Sequence, residues 1–308
     1  MSRRRSIRAD EVALLATLPE PEASAPVDPE RTSLYTADEL YDRPRYRDTL
    51  DARAYAWSRK PHDRASARVR ALHDFSIDEA LDSWIAERRI AGIMGGHEAV
   101  RGDQNYARTA HLAHRLSARL TIATGGGPGA MEAGNLGASY GNQAGEDLER
   151  TIDELGRVPT YTPSISDWAA SALAARAADP RDNLGIPTWH YGEEPPNVFA
   201  TSIAKYFKNA QREAILLNIC NAGIVFLPGA AGTVQEIFQD ACENFYALPE
   251  RVAPMILLGA EYWTRTLPVW PLLSSLSTLD VSGVGGTRPM AAQIHLANSI
   301  DEVVELLS

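Results

Sequence analysis

From about residue 76 onward, short apolar runs alternate with stretches of helical period. Ile90–Met94 is an unbroken apolar run that stops at Gly95-Gly96, the form of a buried strand running into a loop. Tyr106–Leu120 then reads as a helix, Thr121–Ala123 as a strand, Gly125–Gly129 as a glycine loop and Ala130–Ser139 as a helix. Later in the chain, Gly223–Leu227 predicts a strand, Pro228–Gly232 a tight loop, Thr233–Tyr246 a helix and Pro254–Leu258 another strand. Between these blocks Phe199, Ile203, Phe207, Ala210, Ala214 and Leu217 fall on one face of a long helix predicted over Val198–Ile219, with Asn197 as its cap. Ser299-x-x-Glu302 has the form of a capping box and opens a closing helix that ends at Leu307. Repeated strand–loop–helix units predict an α/β fold with a mostly parallel sheet and helices on both faces. Ligands of such sheets lie beyond the C-terminal ends of the strands.

Two stretches stand outside this alternation. Residues 1–75 are expected to be an N-terminal extension, mostly disordered over 1–30, with short helices at Thr36–Tyr41 and Arg64–His73. Ser76-Ile77-Asp78-Glu79 has the capping-box pattern and is taken as the start of the core domain, 76–308. Residues 144–197 read as an insertion near the site, with helices at Glu146–Leu155 and Ser166–Ala178 before a turn-rich segment. There is no internal repeat.

Composition narrows the function. No apolar run approaches the roughly 18 residues a membrane span needs, and the basic N-terminus lacks the apolar stretch of a secretory signal. Cys220 and Cys242 form no CxxC and fit reduced thiols, so a cytoplasmic protein without a membrane partner is expected. The net charge is −10. Residues 1–74 hold 14 of the 30 basic and 13 of the 40 acidic side chains, leaving 16 basic against 27 acidic in the rest. That body repels a nucleic-acid backbone, so no nucleic acid is expected as partner, and a small anion must be held by local donors.

Local donors are what the two glycine-rich loops offer. Leu227-Pro228-Gly229-Ala230-Ala231-Gly232-Thr233-Val234-Gln235-Glu236 leaves an apolar strand and opens a helix. Small residues let the backbone approach a phosphate, and the first amides of the helix point at it, aided by the helix dipole. Thr233 adds a hydroxyl, and Glu236 lies one turn in, within reach of the sugar. A tight turn with small residues for packing gives the same pattern. The second loop, Thr124-Gly125-Gly126-Gly127-Pro128-Gly129-Ala130-Met131-Glu132, contains G-x-G-x-x-A, but no strand with a terminal acidic residue follows, which argues against dinucleotide binding. Its four glycines require close backbone approach to a ligand or to the facing loop.

Together GGGPGAMEAGNLGA and LPGAAGTVQEIF resemble the LONELY GUY (LOG) family, whose members carry a GGGxxG-Met loop and a PGGxGTxxE signature and are often mislabelled lysine decarboxylases. GIPTWHYGEEPPNVFATSIAKYFKNAQRE resembles a longer bacterial branch of that superfamily, and the resemblance covers roughly Ile90–Leu258. It implies a Rossmann-like fold and hydrolysis of the N-glycosidic bond of a nucleoside 5′-monophosphate, giving free base and ribose 5-phosphate. It also implies a homodimer and no metal or redox cofactor. By motif position, Gly229, Ala231, Gly232 and Thr233 hold the phosphate, Glu236 is the catalytic carboxylate, and Arg212 is the nearest match to the family's Arg on the preceding helix. The chain departs from the pattern at Ala230, where the family has its second Gly, and in spacing Arg212 one residue further from Pro228.

Several further residues carry two readings each. Gly126, Gly127 and Met131 belong to the glycine loop, and Glu132 and Asn135, at the start of its helix, either contact base or ribose or cap and pack. Gly96 and His97, at a strand's C-terminal end, either touch ligand or only line the loop, as do Arg101, Asp103 and Tyr106. Trp189, His190 and Tyr191 form an aromatic wall over a base or simply pack. Arg212, with Lys205 and Lys208, is either functional or part of a solvated basic stripe. His111-x-x-His114 lacks further ligands and is not expected to bind metal. The expectation is a nucleoside-monophosphate hydrolase. Its rivals are a non-catalytic nucleotide or cofactor carrier on the same fold and a pyridoxal-phosphate decarboxylase, for which no lysine has a recognisable setting.

Overall fold

The computed structural model describes residues 25–60, 63–191, 194–279 and 289–308. A seven-stranded sheet organises the molecule: β1 (Ile90–Met94), β2 (Thr121–Thr124), β3 (Asn183–Gly185), β4 (Ser202–Ile203), β5 (Gly223–Phe226), β6 (Met255–Leu258) and β7 (Ile294–Ala297). Its order is β4-β3-β2-β1-β5-β6-β7, and every neighbouring pair is parallel. This is a Rossmann-like α/β fold. The inner strands are apolar throughout because both faces are covered, as parallel sheets require. Successive side chains point to opposite faces, so Ile90 and Met94 enter one core while Ala91 and Ile93 enter the other.

Before the sheet come α1 (Ala37–Leu40), α2 (Leu50–Ser58) and α3 (Arg64–Ile85); between β1 and β3 lie α4 (Gln104–Ser117), α5 (Ala130–Ser139), α6 (Gly145–Leu155) and α7 (Ile165–Ala174). The second half holds α8 (Asn209–Ile219), α9 (Ala231–Tyr246), α10 (Val269–Ser277) and α11 (Ile300–Leu306). Val69, Ile77 and Leu81 of α3 share one core with Leu216 of α8, Ile237 of α9 and Leu273 of α10. The opposite face is covered by Leu112 and Leu116 of α4, Ala138 of α5 and Val303 of α11.

Chain direction places the crevice. From β1 the chain works outward through β2, β3 and β4, then returns to add β5, β6 and β7 on the other side of β1. The loops leaving β1 and β5 therefore diverge at the strands' C-terminal ends, which is the switch point where open α/β sheets bind ligands.

Three expectations are corrected here. The predicted core start at Ser76 falls inside α3, whose N-cap is Asp63, with its side chain accepting from Ser66 N at 2.7 Å. Ser76 is buried mid-helix and its hydroxyl donates to Pro29 O. The boundary thus has no break in the chain, and Val27, within the stretch expected to be disordered, is buried; residues 1–24 lie outside the described residues. The long helix over Val198–Ile219 is cut to its second half, Asn209–Ile219. Asn197 Oδ1 instead accepts from Phe199 N and Ala200 N in a local turn, and Ser202–Ile203 pairs with β3. A segment buried on all sides satisfies helical and extended spacing equally, so periodicity misleads there. Nor is there a solvated basic stripe: Lys205 is 1% exposed, with Nζ 2.5 Å from Asp51 Oδ1. The stretch 144–197 supplies α6 and α7 as expected, and it also places β3 in the central sheet.

Candidate active site

The loop after β2 is shaped by glycines that no other residue replaces. Gly126 has φ +72°, and a Cβ there would lie 2.6 Å from Pro187 Cδ. Gly129 also has φ +72°, and its Cβ would meet the His97 backbone at 2.6 Å. The loops after β1 and β2 thus touch through backbone, and Ala130 N donates to Gly96 O at 3.1 Å. The amide hub beneath is closed. Asn135 Oδ1 accepts from Thr124 Oγ1 at 2.7 Å and Asn197 Nδ2 at 2.8 Å, while its Nδ2 donates to Asn183 Oδ1 and Leu184 O. Asn197 in turn donates from its backbone to Gly126 O and from Nδ2 to Gly127 O. Asn135 holds the loop in place and has no polar atom left for a ligand.

Glu132 is likewise occupied internally. It is 1% exposed and takes a two-pronged ion pair from Arg101, whose Nε donates to Oε2 at 2.9 Å. Arg101 continues to Trp168 O and Ser171 Oγ and lies over the Trp168 ring. Asp103 caps α4 through Tyr106 N. Trp189, 3% exposed, stacks on Phe207 and donates its indole N–H to Asp51, so it is core and not a wall over a base. His111 pairs with Glu149, His114 meets Gln143 O, and among the described residues no cluster suited to a metal occurs.

What remains converges on the crevice. Arg212, 8% exposed, donates from Nε to Ile186 O at 2.6 Å and from Nη2 to Gly125 O at 3.1 Å. Its guanidinium and the Met131 sulfur both lie so close under Gly125 that a Cβ there would sit 2.5 Å from Nη2 and 2.6 Å from Sδ. Gly127 is similarly close to the Met131 methyl. Across the crevice, Gly229 O accepts from the Tyr262 hydroxyl at 2.7 Å, and the Gly229 backbone lies against Thr233, which is buried. Ala230 caps α9 without a side-chain hydrogen bond, and Ala231 and Gly232 are exposed. A Cβ on Gly232 would meet nothing within 4 Å.

Glu236, partly buried one turn into α9, has its carboxyl pushed up to about 7 by burial, against the lowering charge of Arg212 and with the added raising effect of Glu213. The crevice therefore holds a helix N-terminus free of its own cap, a guanidinium fixed on backbone carbonyls, and a carboxylate that changes charge near neutrality. Two further groups are not among the candidates singled out from sequence, Tyr262 because it lies outside every motif and Glu194 because nothing within the quoted stretch marks it apart from its neighbours. Tyr262 fixes the loop after β5 at Gly229 O, and Glu194, whose Oε1 is 3.3 Å from His97 Nδ1, links its segment to the loop after β1.

Neither a family model nor a curated protein sequence matches the chain. Similar solved structures include the molybdenum cofactor binding protein of the phototrophic bacterium Rippkaea orientalis, with TM-score 0.41 and 16% identity over 72% of this chain and 96% of that one. The molybdenum cofactor carrier protein of Chlamydomonas reinhardtii gives TM-score 0.41 and 14% identity, over 72% of this chain and 99% of that one. The structural-genomics target TM1055 gives 0.44 and 17%, over 71% and 98%. At such identities and scores the similarity adds nothing to the Rossmann-like fold that the strand order already establishes.

Proposed function

We propose that the protein is a nucleoside 5′-monophosphate phosphoribohydrolase of the LOG type, cleaving the N-glycosidic bond of AMP-like nucleotides. The observation that carries this reading is the pairing, on one helix at the switch point, of an uncapped N-terminus beside open space at Gly232 with Glu236 one turn further in. Amides at a helix N-terminus attract a phosphate dianion. A nucleotide held there by its 5′-phosphate brings its ribose towards Glu236. As the C1′–N bond breaks, positive charge develops on C1′ and the ring oxygen. An ionised Glu236 stabilises that charge and accepts a proton from the attacking water. The water oxygen bonds to C1′, the bonding pair leaves with the base, and the base takes up a proton from solvent, while Glu236 later returns to solvent the proton it took from the water. Arg212 offsets negative charge on the phosphate or the departing base. Nothing in this chemistry calls for a metal or a redox group.

The test is a panel of nucleoside monophosphates incubated with the purified protein and assayed for free base. Release of purine from at least one member supports the reading. Tight binding across the panel without release from any member assigns the site to a nucleotide or cofactor carrier.

A further inference from the structure

We propose that Asp74, far from the crevice on α3, is a positioning residue for Arg212. This rests on the proposed role of Arg212 and gives the N-terminal segment a function in the same site. Helix α8 begins at Asn209 with Lys208 as its N-cap, and Lys208 provides no side-chain cap. The cap comes instead from 134 residues upstream, where Asp74 Oδ2 accepts from Lys208 N at 3.0 Å. Asp74 Oδ1 accepts from Phe207 N at 2.9 Å and lies 3.2 Å from His73 Nδ1. Asp74 is 2% exposed, and buried polar oxygens need donors, which the two amides supply here. It also sits at the favourable end of the helix dipole.

One turn along α3, Asp78 takes the Tyr206 hydroxyl on Oδ1 and Gln211 Nε2 on Oδ2, both at 2.8 Å. The two carboxylates thus grip the start of α8 before and after its first residue. Arg212 is the fourth residue of that helix. Its guanidinium is fixed at its far end on Ile186 O and Gly125 O, contacts that a shift of about an ångström breaks. Asp74 sets where α8 starts, the start sets where Arg212 reaches, and Arg212 supports the glycine loop beside Glu236.

The full-length chain tests this as a double-mutant cycle of Asp74→Ala and Arg212→Ala, with Asp74→Asn as the conservative variant and melting temperature recorded for each. Base release from AMP is expected to fall at least tenfold in kcat/KM for Asp74→Ala. Asp74→Asn, which keeps an oxygen for one of the two amides, is expected to fall between. Adding Asp74→Ala to Arg212→Ala should cost no further activity, because the position it secures is already empty. If the unmodified protein releases no base, the functional reading fails separately, and the same cycle is read in AMP affinity by calorimetry with the same non-additivity expected. Additive losses, or a folded Asp74→Ala protein within twofold of the unmodified one, overturn the proposal in either assay.

Discussion

Glu236 carries the charge change on which the proposed chemistry depends. Burial is the main reason its carboxyl rises to about 7, Arg212 pulls the other way, and Glu213 adds a like charge. Glu213 is itself held, accepting from Asn209 Nδ2 at 2.7 Å and Gln235 Nε2 at 2.8 Å. Burial also pushes up the Cys220 thiol, with Asp240 and Glu236 adding to the effect, so that sulfur stays protonated and chemically quiet. A general base works in its ionised form, so kcat/KM for AMP is expected to rise with pH through a limb near 7. Glu213→Gln removes a like charge and is expected to move that limb to lower pH. A profile flat from pH 5 to 8, or a limb moved upward by Glu213→Gln, contradicts this assignment of the charge-bearing group.

At the scale of elements, the helices divide into those that begin on a side-chain cap and those that do not. Thr49, Asp63, Asp103, Ser164 and Ser299 cap their own helices with side-chain oxygens. Helices α6, α8 and α10 have no such cap, and neither do α5 and α9, whose N-caps Gly129 and Ala230 lie on the glycine-rich loops. Because a side chain at Gly232 meets nothing within 4 Å, Gly232→Val is expected to fold normally while weakening AMP binding at least tenfold. Adenosine, lacking the phosphate, should bind poorly to both proteins. Equal AMP affinity in the variant contradicts phosphate binding at this helix. The elements legible in sequence were those with a single strong signal: unbroken apolar runs for β1, β5 and β6, and Ser299 with Glu302 for α11. The motif loops were legible because glycine and small residues mark close approach. Strand β3 is three residues long and β7 is an edge strand with a partly exposed middle, too little pattern for either to register. Ser76 imitated a cap while lying mid-helix. The closed networks around Asn135 and Glu132 were illegible because their partners lie far away in sequence.

For the whole molecule, the helix expected over Val198–Ile219 is shortened to Asn209–Ile219, and most of the wider segment is buried within the protomer. Large apolar side chains nevertheless remain exposed elsewhere, with Tyr246 at 77%, Leu272 at 61% and Leu248 at 55%. Light scattering at micromolar concentration is expected to return the mass of a homodimer, and the mass of a single 33.6 kDa chain contradicts it. Among the described residues no helix is long and apolar enough to cross a membrane. On the proposed function, this fold with its two loops is a catalyst and not only a container for a nucleotide. Charge on Glu236 distinguishes the two, because stabilising an oxocarbenium-like state matters to turnover and little to ground-state binding. The decisive measurement is adenine release from AMP by the unmodified protein and by Glu236→Gln, with AMP affinity taken on the same preparations. Measurable release by the unmodified protein is expected, with a loss of at least about 100-fold in the variant, on the order of 3 kcal/mol of barrier, and affinity changed only a few-fold. Undiminished release by Glu236→Gln, or a collapse of binding without a change in turnover, contradicts that expectation.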